Sequence, residues 1–355
     1  MRLPELALIE GFYGRPWTWQ ERTDTVRFLA PHGFRTYLYA PKADAYLRRR
    51  WREQHPVDVA RPLAAFAAAV REAGARFGVG LSPYEAWLDF GAEAKQALEA
   101  KLRFLDELRV DDLAILFDDM RGDVPDLAER QLEIVDFIAD RTAASRLIVC
   151  PTYYSDDPVL DRVFGARPRD YLARLGQSLD PRIDIFWTGE EVVSRQISIP
   201  HVDRVVNELR RKPFLWDNYP VNDGQRMSQY LHLRAFTGRP AALADHVSAH
   251  GINVALQPTL TCIPALTLIE SYASDEGYAY GAAFRRAAEQ VLGADLATML
   301  WQDLLVLQDV GLDRLGEKEA LLRGRWRDVD HPAAREIIDW LDGGYRITDE
   351  IVHTQ

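Results

Sequence analysis

The chain has 355 residues, 47% of them hydrophobic and 27% charged, and these proportions exclude disordered, collagen-like and low-complexity proteins. A net charge of −11, from 43 basic and 54 acidic residues, disfavours wrapping nucleic acid or coating an anionic membrane, because both need a basic surface. With two cysteines, no run of 18 apolar residues and no secretion signal over residues 1–10, we expect a reduced, cytoplasmic protein without a membrane span.

Eight short apolar runs predict β-strands, and the segments between them have the apolar spacing of helices. The predicted strands are residues 6–9, 36–39, 77–81, 113–117, 147–150, 183–187, 214–216 and 252–256. Strands that alternate with helices pair in parallel, because only a long crossover returns the chain to the same edge. Eight such units are the number in a closed (β/α)8 TIM-type barrel, although counting strands does not distinguish it from an open, doubly wound sheet.

After about residue 278 the pattern changes to helices alone. The helical segments are residues 282–292, 296–309 and 333–341. We therefore predict an α/β protein with a (β/α)8 catalytic barrel over residues 1–275 and a small helical region over residues 276–355. The sequence leaves two uses for these helices open. They either pack against the barrel or form a homodimer interface through Trp301, Trp326 and Trp340.

The residues that follow the predicted strands are candidates for an active site, since reactive groups in a parallel barrel collect at the carboxyl ends of its strands. Seven strand ends carry amide, aromatic, carboxylate or ammonium groups. They are residues 10–17, 40–44, 118–119, 151–154, 187–189, 216–223 and 257–258. Aromatic faces beside polar groups suit a sugar, whose C–H face packs on rings while its hydroxyls take hydrogen bonds.

The adjacent Asp118 and Asp119 are the most informative pair. They follow residues 113–117, a run apolar enough to be buried on both faces. Close carboxylates titrate as a coupled pair, so we expect the pKa of one to rise, which gives the general acid and the ionised acceptor that glycoside cleavage requires. Both can face one pocket only if the chain turns at Asp119, because consecutive strand side chains point oppositely. A helix cap or a loop salt bridge is the alternative.

No pattern in the sequence indicates a cofactor. We find no phosphate-binding glycine loop, no Gly-x-Ser-x-Gly elbow and no context for a cysteine nucleophile. Among eight histidines, His246 and His250 have the i, i+4 spacing of a helical metal site but no accompanying glutamate, so we expect them to face solvent. We predict no metal and no cofactor, and keep a metal-dependent hydrolase built on Asp118 and Asp119 as an alternative.

Six motifs at strand ends resemble, in order, those of the O-GlcNAcase (β-N-acetylglucosaminidase) family, glycoside hydrolase family 84. They are residues 10–17 (EGFYGRPW), 37–42 (YLYAPK), 116–119 (LFDD), 150–152 (CPT), 187–189 (WTG) and 216–218 (WDN). The resemblance implies a retaining hydrolase that releases terminal β-linked N-acetylglucosamine (GlcNAc). In that mechanism the sugar's own 2-acetamido oxygen attacks the anomeric carbon and forms an oxazoline.

The resemblance also implies roles for individual residues. Asp118 would accept the acetamide N–H, and Asp119 would act as general acid and then as general base. Tyr154, Thr188 and Trp216 would form the acetamide pocket, with Cys150 and Val192 nearby. The remaining predicted substrate-binding residues are Gly11, Lys42, Asp217, Asn218, Asp223 and Gln257. Gln257 departs from the family, which usually has Asn before the proline that follows strand eight, and this leaves the sugar preference open.

The implied partner is a β-GlcNAc-bearing glycoconjugate or glycoprotein, whose aglycone the sequence does not identify. Two alternatives stay open at this point. One is a GlcNAc-binding module with weak or no turnover. The other is a glycosaminoglycan-cleaving variant, which the acidic charge of the chain disfavours, because a polyanionic substrate would be repelled unless the cleft were locally basic.

Overall fold

The computed structural model describes residues 3–274 and 277–355. In those ranges eight parallel strands form a closed barrel in sequence order. The strands are β1 (Glu5–Glu10), β2 (Phe34–Tyr39), β3 (Arg76–Leu81), β4 (Asp112–Leu116), β5 (Arg146–Cys150), β6 (Asp184–Trp187), β7 (Phe214–Asp217) and β8 (Ala249–Asn253). The predicted (β/α)8 fold is confirmed, and the open sheet is excluded by the pairing of β1 with β8.

Helices follow the strands and cover the outside of the barrel. They are α1 (Trp19–Leu29), α2 (Val57–Glu72), α3 (Ala92–Glu107), α4 (Leu127–Ala139), α5 (Val159–Phe164), α6 (Tyr171–Ser178), α7 (Ile199–Leu209) and α8 (Pro258–Ser274). Every residue of β4 is buried, as expected for a strand between the barrel interior and outer helices. The loop after β1 ends at a capping box, in which Thr18 and Glu21 each accept the other's backbone N–H.

The prediction for the eighth strand, residues 252–256, is wrong by three residues, since β8 is Ala249–Asn253. The more apolar stretch comes after the strand, whereas the strand itself contains a histidine. His250 is fully buried, and its ring nitrogens contact the Tyr272 hydroxyl at 2.7 Å and Asp217 Oδ2 at 3.0 Å. The expectation that His250 faces solvent is therefore wrong, because these two partners satisfy it inside the core.

The true register of β8 decides which side chain reaches the barrel rim. Asn253, the last residue of β8, pairs with Ile9 near the end of β1. Gly251 permits this close packing, since a Cβ on Gly251 would lie 2.5 Å from Ile9 Cδ1. Asn253, rather than Gln257, is therefore the polar residue at the end of the eighth strand.

The described part of the chain after residue 276 contains α9 (Tyr280–Leu292), α10 (Ala294–Asp309), α11 (Glu317–Trp326), α12 (Pro332–Leu341) and α13 (Asp349–Thr354). The sequence predicted α9, α10 and α12 but not the short α11 and α13. The predicted boundary between residues 275 and 276 falls on residues outside the described ranges, so this division stays a prediction. No helix within 3–274 or 277–355 combines the length and apolarity of a bilayer span.

Two of the three tryptophans considered for a homodimer interface are buried within the chain. Trp326 and Trp340 are 1% and 0% exposed. Their indole N–H groups donate to Asp303 Oδ2 and to the Ser228 carbonyl, respectively. These two side chains pack inside the protein, so the homodimer stays a prediction that rests on Trp301, which is 38% exposed.

Candidate active site

A cavity of about 220 Å³ lies where the carboxyl ends of the strands converge. This is smaller than the roughly 300–1,000 Å³ of pockets for drug-sized ligands, so it suits one small ring. Ten of the twelve predicted site residues line it: Gly11, Lys42, Asp118, Asp119, Tyr154, Thr188, Val192, Trp216, Asn218 and Asp223. Six further residues complete the lining: Tyr13, Cys150, Val193, Val221, Met227 and Asn253.

The aspartate pair reaches the cavity because the chain turns directly after β4. The strand ends at Leu116, one residue earlier than predicted. Asp119 has a φ of 54°, in the left-handed region that non-glycine residues seldom adopt. Strand alternation has therefore ended before the second aspartate, and both carboxylates line the same cavity.

Lys42 bridges the two aspartates. Its Nζ lies 2.5 Å from Asp118 Oδ2 and 3.1 Å from Asp119 Oδ2. Burial by itself would lower the pKa of Lys42, but the two carboxylates raise it above the ordinary value. Lys42 therefore carries a positive charge, which here stabilises the aspartate pair.

Asp118 uses only one of its two oxygens within the protein. Lys42 donates to Oδ2, whereas Oδ1 is buried and has no hydrogen-bond partner among residues 3–274 and 277–355. A buried polar group without a partner costs roughly 1–3 kcal/mol, and more when it is charged. Asp118 Oδ1 is therefore a strong acceptor for an N–H or O–H of a molecule bound in the cavity.

Asp119 is held in its ionised form. Burial alone would raise the pKa of Asp119, but Lys42 and Arg48 lower it to about 2. The Tyr13 hydroxyl donates to Asp119 Oδ2 at 2.9 Å, and Arg48 Nη2 donates to the Tyr13 hydroxyl at 3.1 Å. The pKa of Asp119 does not show the expected rise, because two buried cations outweigh the effect of burial.

The indole of Trp216 forms one wall of the cavity beside Gly11. A Cβ on Gly11 would lie 2.4 Å from Trp216 Cζ2, so only glycine fits here. The Gly11 N–H donates to Asn253 Oδ1 at 3.1 Å, while Asn253 Nδ2 and Trp216 Nε1 both donate to Asn218 Oδ1, at 3.0 and 3.1 Å. A fixed ring beside oriented amides matches the C–H face and hydroxyl edge of a pyranose.

Tyr154, Thr188, Val192 and Cys150 line a mostly apolar part of the cavity. The Tyr154 hydroxyl lies 3.5 Å from Asp119 Oδ1, and burial raises the pKa of Tyr154 well above its ordinary value, so the hydroxyl keeps its proton. The Thr188 hydroxyl donates to the Glu191 carbonyl at 3.1 Å. Burial also raises the pKa of the Cys150 thiol, which therefore stays neutral.

Asp223 follows β7 and lies next to the loop after β1. Its Oδ2 accepts the backbone N–H of Tyr13 at 2.9 Å. Burial raises the pKa of Asp223 to about 6, and the negative charge of Asp119 contributes to the rise. This carboxyl therefore changes charge close to neutral pH.

Asp217 was predicted to bind substrate, but its side chain lies outside the cavity. It precedes Asn218 and follows Trp216 in β7, and since Trp216 faces the cavity, Asp217 points to the opposite side. There its two oxygens accept from Arg239, each at 2.7 Å, and Oδ2 contacts His250. Burial would raise the pKa of Asp217, but Arg239 and His250 lower it to about 2. Asp217 is thus a structural anion.

Gln257 was also predicted to bind substrate, and it too lies outside the cavity lining. The side chain is buried, and its Oε1 accepts from Asn222 Nδ2 at 3.0 Å. Asn253 takes its place at the end of β8. The shifted prediction of the eighth strand explains why the sequence pointed to Gln257, and the strand-end rule applied to the correct strand identifies Asn253.

Other lining residues carried weaker signals in the sequence. Tyr13 lies inside the first motif, but nothing there indicates that its hydroxyl contacts Asp119. Val193 and Met227 belong to loops beyond the strand ends. Arg48 affects the cavity through its charge, and a run of three arginines, residues 48–50, does not reveal which of them is buried.

A larger cavity, about 700 Å³, lies between α1, the start of α8 and α12. Several of its polar side chains are paired within the protein: Arg15 pairs with Asp339 at 3.0 Å, and Glu336 accepts the N–H groups of Thr259 and Leu260 at the start of α8. None of the predicted site residues lines it. The candidate active site is therefore the smaller cavity at the strand ends.

The residues of the cavity offer little to a metal ion. In the described part of the chain, no group of three or more His, Cys, Asp or Glu side chains is arranged to hold one. The positive charges of Lys42 and Arg48 next to the aspartates disfavour a cation there. The alternative of a metal-dependent hydrolase has no support from this arrangement.

Comparison with known proteins agrees with a sugar-processing site. A family model described as beta-N-acetylglucosaminidase matches residues 7–303. The mouse (Mus musculus) and rat (Rattus norvegicus) proteins named Protein O-GlcNAcase are each 31% identical to the chain over 246 residues. That alignment covers 67% of this chain and 26% of each relative, so the chain spans about a quarter of the length of the curated relatives it matches.

A solved structure resembles the whole described fold. It is an aspartate-to-asparagine mutant of the O-GlcNAc hydrolase from Thermobaculum terrenum, similar with a TM-score of 0.78 and 28% sequence identity. The match covers 95% of this chain and 80% of that chain, so it extends beyond the barrel into the helices that follow it.

Proposed function

Since this chain belongs to the β-N-acetylglucosaminidase family, we propose that it hydrolyses terminal β-linked GlcNAc from a glycoconjugate or glycoprotein, with retention at the anomeric carbon. The observation that carries this proposal is Asp118 Oδ1, a buried carboxylate oxygen on a residue of the cavity wall, which has no hydrogen-bond donor among the described residues. The N–H of a 2-acetamido group supplies that donor. The names of the relatives, O-GlcNAcase and O-GlcNAc hydrolase, support the same substrate class.

The proposed reaction uses the acetamide of the sugar as nucleophile. Asp118 accepts the acetamide N–H and stabilises the positive charge that develops on the nitrogen. The acetamide oxygen forms a bond to the anomeric carbon while the bond to the aglycone breaks, and Asp119 gives its proton to the leaving oxygen. Water then attacks the oxazoline and transfers a proton to Asp119, so two inversions give net retention. The nucleophile is held within the substrate, which is a proximity effect.

Asp119 must carry a proton when the aglycone leaves, whereas without substrate its pKa is about 2. Lys42 is the nearest cation that keeps it ionised, 3.1 Å away. A sugar hydroxyl that accepts from Lys42 weakens this ion pair, and a sugar ring that displaces water raises the pKa of the buried carboxyl. Substrate binding thus produces the protonated acid that the first step needs.

The size of the cavity supports removal of single terminal sugars. About 220 Å³ leaves space for one pyranose ring, and because the Asp119 side chain is 26% exposed against 9% for Asp118, the aglycone extends toward solvent on the Asp119 side. Both cysteines are buried and unpaired, which agrees with the reducing, cytoplasmic location expected from the sequence. That location and the identity of the aglycone stay proposals.

Release of 4-nitrophenol from 4-nitrophenyl β-GlcNAc tests the proposed function. We expect turnover by the full chain and a loss of at least about 100-fold in Asp118→Asn and in Asp119→Asn. Asp123→Asn is the matched control, because Asp123 lies in the same loop but pairs with Arg121 at the surface. Full activity in the variant that combines Asp118→Asn and Asp119→Asn would refute the proposal.

One observation favours a second function, a GlcNAc-binding module with weak or no turnover. The pKa of Asp119 is about 2, so without a substrate-induced rise its carboxyl has no proton to give. Titration calorimetry with GlcNAc, combined with the turnover assay, separates the two functions. Binding without hydrolysis of the aryl glycoside would favour the binding module.

A further inference from the structure

The last part of the chain contacts two loops that form the cavity. We call residues 340–355 the C-terminal strap, residues 11–18 the β1 loop and residues 218–230 the β7 loop. The β1 loop carries Tyr13, and the β7 loop carries Asp223 and Met227, all of which line the cavity. The strap itself contributes no residue to the cavity lining.

Ser228 joins the β7 loop to the strap. It is buried and directly follows Met227. Its hydroxyl accepts the backbone N–H of Ile347 at 3.2 Å, and its carbonyl accepts the indole N–H of Trp340 at 3.3 Å. A second contact lies nearer the surface, where Gln225 Nε2 donates to Asp349 Oδ1 at 2.7 Å. Three groups of the strap, on Trp340, Ile347 and Asp349, therefore fix the segment around Met227.

Gln355 joins the β1 loop to the strap. Its side-chain amide pairs with both backbone groups of Gly14, accepting from the N–H at 2.7 Å and donating to the carbonyl at 3.2 Å. Ile347 packs on the same residue, since a Cβ on Gly14 would lie 2.5 Å from Ile347 Cδ1. Gly14 has a φ of 108°, so the backbone bends there, directly after Tyr13.

The two loops also contact each other inside the cavity. Asp223 Oδ2 accepts the backbone N–H of Tyr13 at 2.9 Å, and the Tyr13 hydroxyl donates to Asp119 Oδ2 at 2.9 Å. If either loop moves, the hydrogen bonds of Tyr13 to Asp223, to Asp119 or to both must therefore change. Because these loops carry cavity residues that regular strands do not hold, their position depends on contacts outside the barrel.

We propose that the C-terminal strap positions the active site: Gln355 and Ser228 act through the two loops to place Tyr13 and Asp223 for the sugar. The effect on turnover rests on the proposed function. Gln355 and Ser228 are positioning residues, because neither contacts the cavity. The α-helical region after the barrel is thus part of the working site and not an independent appendage.

Gln355→Ala tests this proposal, since it removes both hydrogen bonds to Gly14 while leaving the core intact. Thr354→Ala is the matched control, because the Thr354 hydroxyl bonds only to carbonyls within α13. For aryl β-GlcNAc we expect a rise in KM of about 3- to 10-fold in Gln355→Ala and less than about twofold in Thr354→Ala. In a background that combines Tyr13→Phe and Asp223→Ala, the effect of Gln355→Ala should shrink to within about twofold, because both groups that the strap places are then gone.

Hydrogen–deuterium exchange gives a readout that does not depend on turnover. Amides of the β7 loop and the β1 loop should exchange faster in Gln355→Ala and at the unaltered rate in Thr354→Ala. If the unaltered chain hydrolyses no aryl β-GlcNAc, the proposed function is refuted, and the same variants are compared by exchange and by the calorimetric Kd for GlcNAc. Unchanged exchange in Gln355→Ala, or an equal effect of Gln355→Ala with and without the two background substitutions, would overturn the strap proposal.

Discussion

Lys42 donates to Asp118 Oδ2 across 2.5 Å, and this contact leaves Asp118 Oδ1 as an acceptor without a partner in the described residues. The two oxygens of one carboxylate thus have different surroundings. One is fixed by a cation of the protein, and the other is buried without a hydrogen-bond partner on a residue that lines the cavity. The arrangement orients Asp118 before any ligand is bound, which is how a buried acceptor can hold an acetamide without reorganising.

The proposed role of Asp119 as general acid predicts that the effect of replacing it depends on the leaving group. Asp119→Ala should lower kcat/KM by about 10²- to 10⁴-fold for an alkyl β-GlcNAc, whose leaving oxygen needs a proton. For 2,4-dinitrophenyl β-GlcNAc the loss in the first chemical step should be much smaller, because that leaving group departs as a stable anion. The measurement is kcat/KM across a series of leaving groups of different pKa. Equal losses for the alkyl and dinitrophenyl substrates would argue against an acid role.

Asn253 and Gln257 provide a matched pair of amide residues with different expected effects. Asn253→Ala should raise KM for aryl β-GlcNAc by about tenfold, since Asn253 accepts from Gly11 and donates to Asn218 on the cavity wall. Gln257→Ala should lower the melting temperature with little change in KM, because Gln257 bonds to Asn222 behind the cavity. Kinetics and thermal unfolding of the two variants are compared directly. The reverse pattern would restore the sequence-based assignment of Gln257.

Asp217 should act on stability rather than on substrate binding. Asp217→Asn leaves the buried Arg239 charge without its counterion and should lower the free energy of unfolding at pH 7 by about 3–5 kcal/mol. Its pKa of about 2 lies below the ordinary 3.8, so the stabilisation is fully present above pH 3.8 and is lost as pH falls toward 2. Urea unfolding between pH 2 and 7 measures both effects. An unfolding free energy equal to that of the unaltered chain would contradict this role.

Asp223 predicts a pH dependence of sugar binding near pH 6. Its raised pKa of about 6 means that the folded protein favours the neutral carboxyl, so this residue stabilises the fold less as pH rises from 3.8 through 6. The ionised carboxylate is the better acceptor for sugar hydroxyls, so the KM for aryl β-GlcNAc should fall as pH rises from 5 to 7. Asp223→Asn should show no such change in KM. A pH-independent KM in the unaltered chain would remove Asp223 from hydroxyl recognition.

The barrel and most of the cavity could be predicted because both depend on local sequence patterns, namely apolar runs that are followed by polar residues. Each apolar run before Asp118 or Asn218 is a buried strand, and polar residues after such runs meet at one rim. The eighth strand could not be placed by apolarity, because His250 is buried through partners distant in sequence. The low pKa of Asp119 and the contacts of Gln355 with Gly14 could not be predicted for the same reason. Both depend on contacts between residues that are distant in sequence and that only the fold brings together.

The central claim is that the N-acyl group of the sugar forms the new bond to the anomeric carbon while Asp118 holds its N–H. The most direct test compares kcat/KM for 4-nitrophenyl β-glycosides that carry N-acetyl or N-trifluoroacetyl groups and are otherwise identical. Fluorine withdraws electrons from the acyl oxygen, so we predict that trifluoroacetylation lowers kcat/KM by at least about 100-fold, as expected when a positioned nucleophile is weakened. Equal rates for the two substrates would contradict participation of the acyl oxygen and, with it, the proposed mechanism.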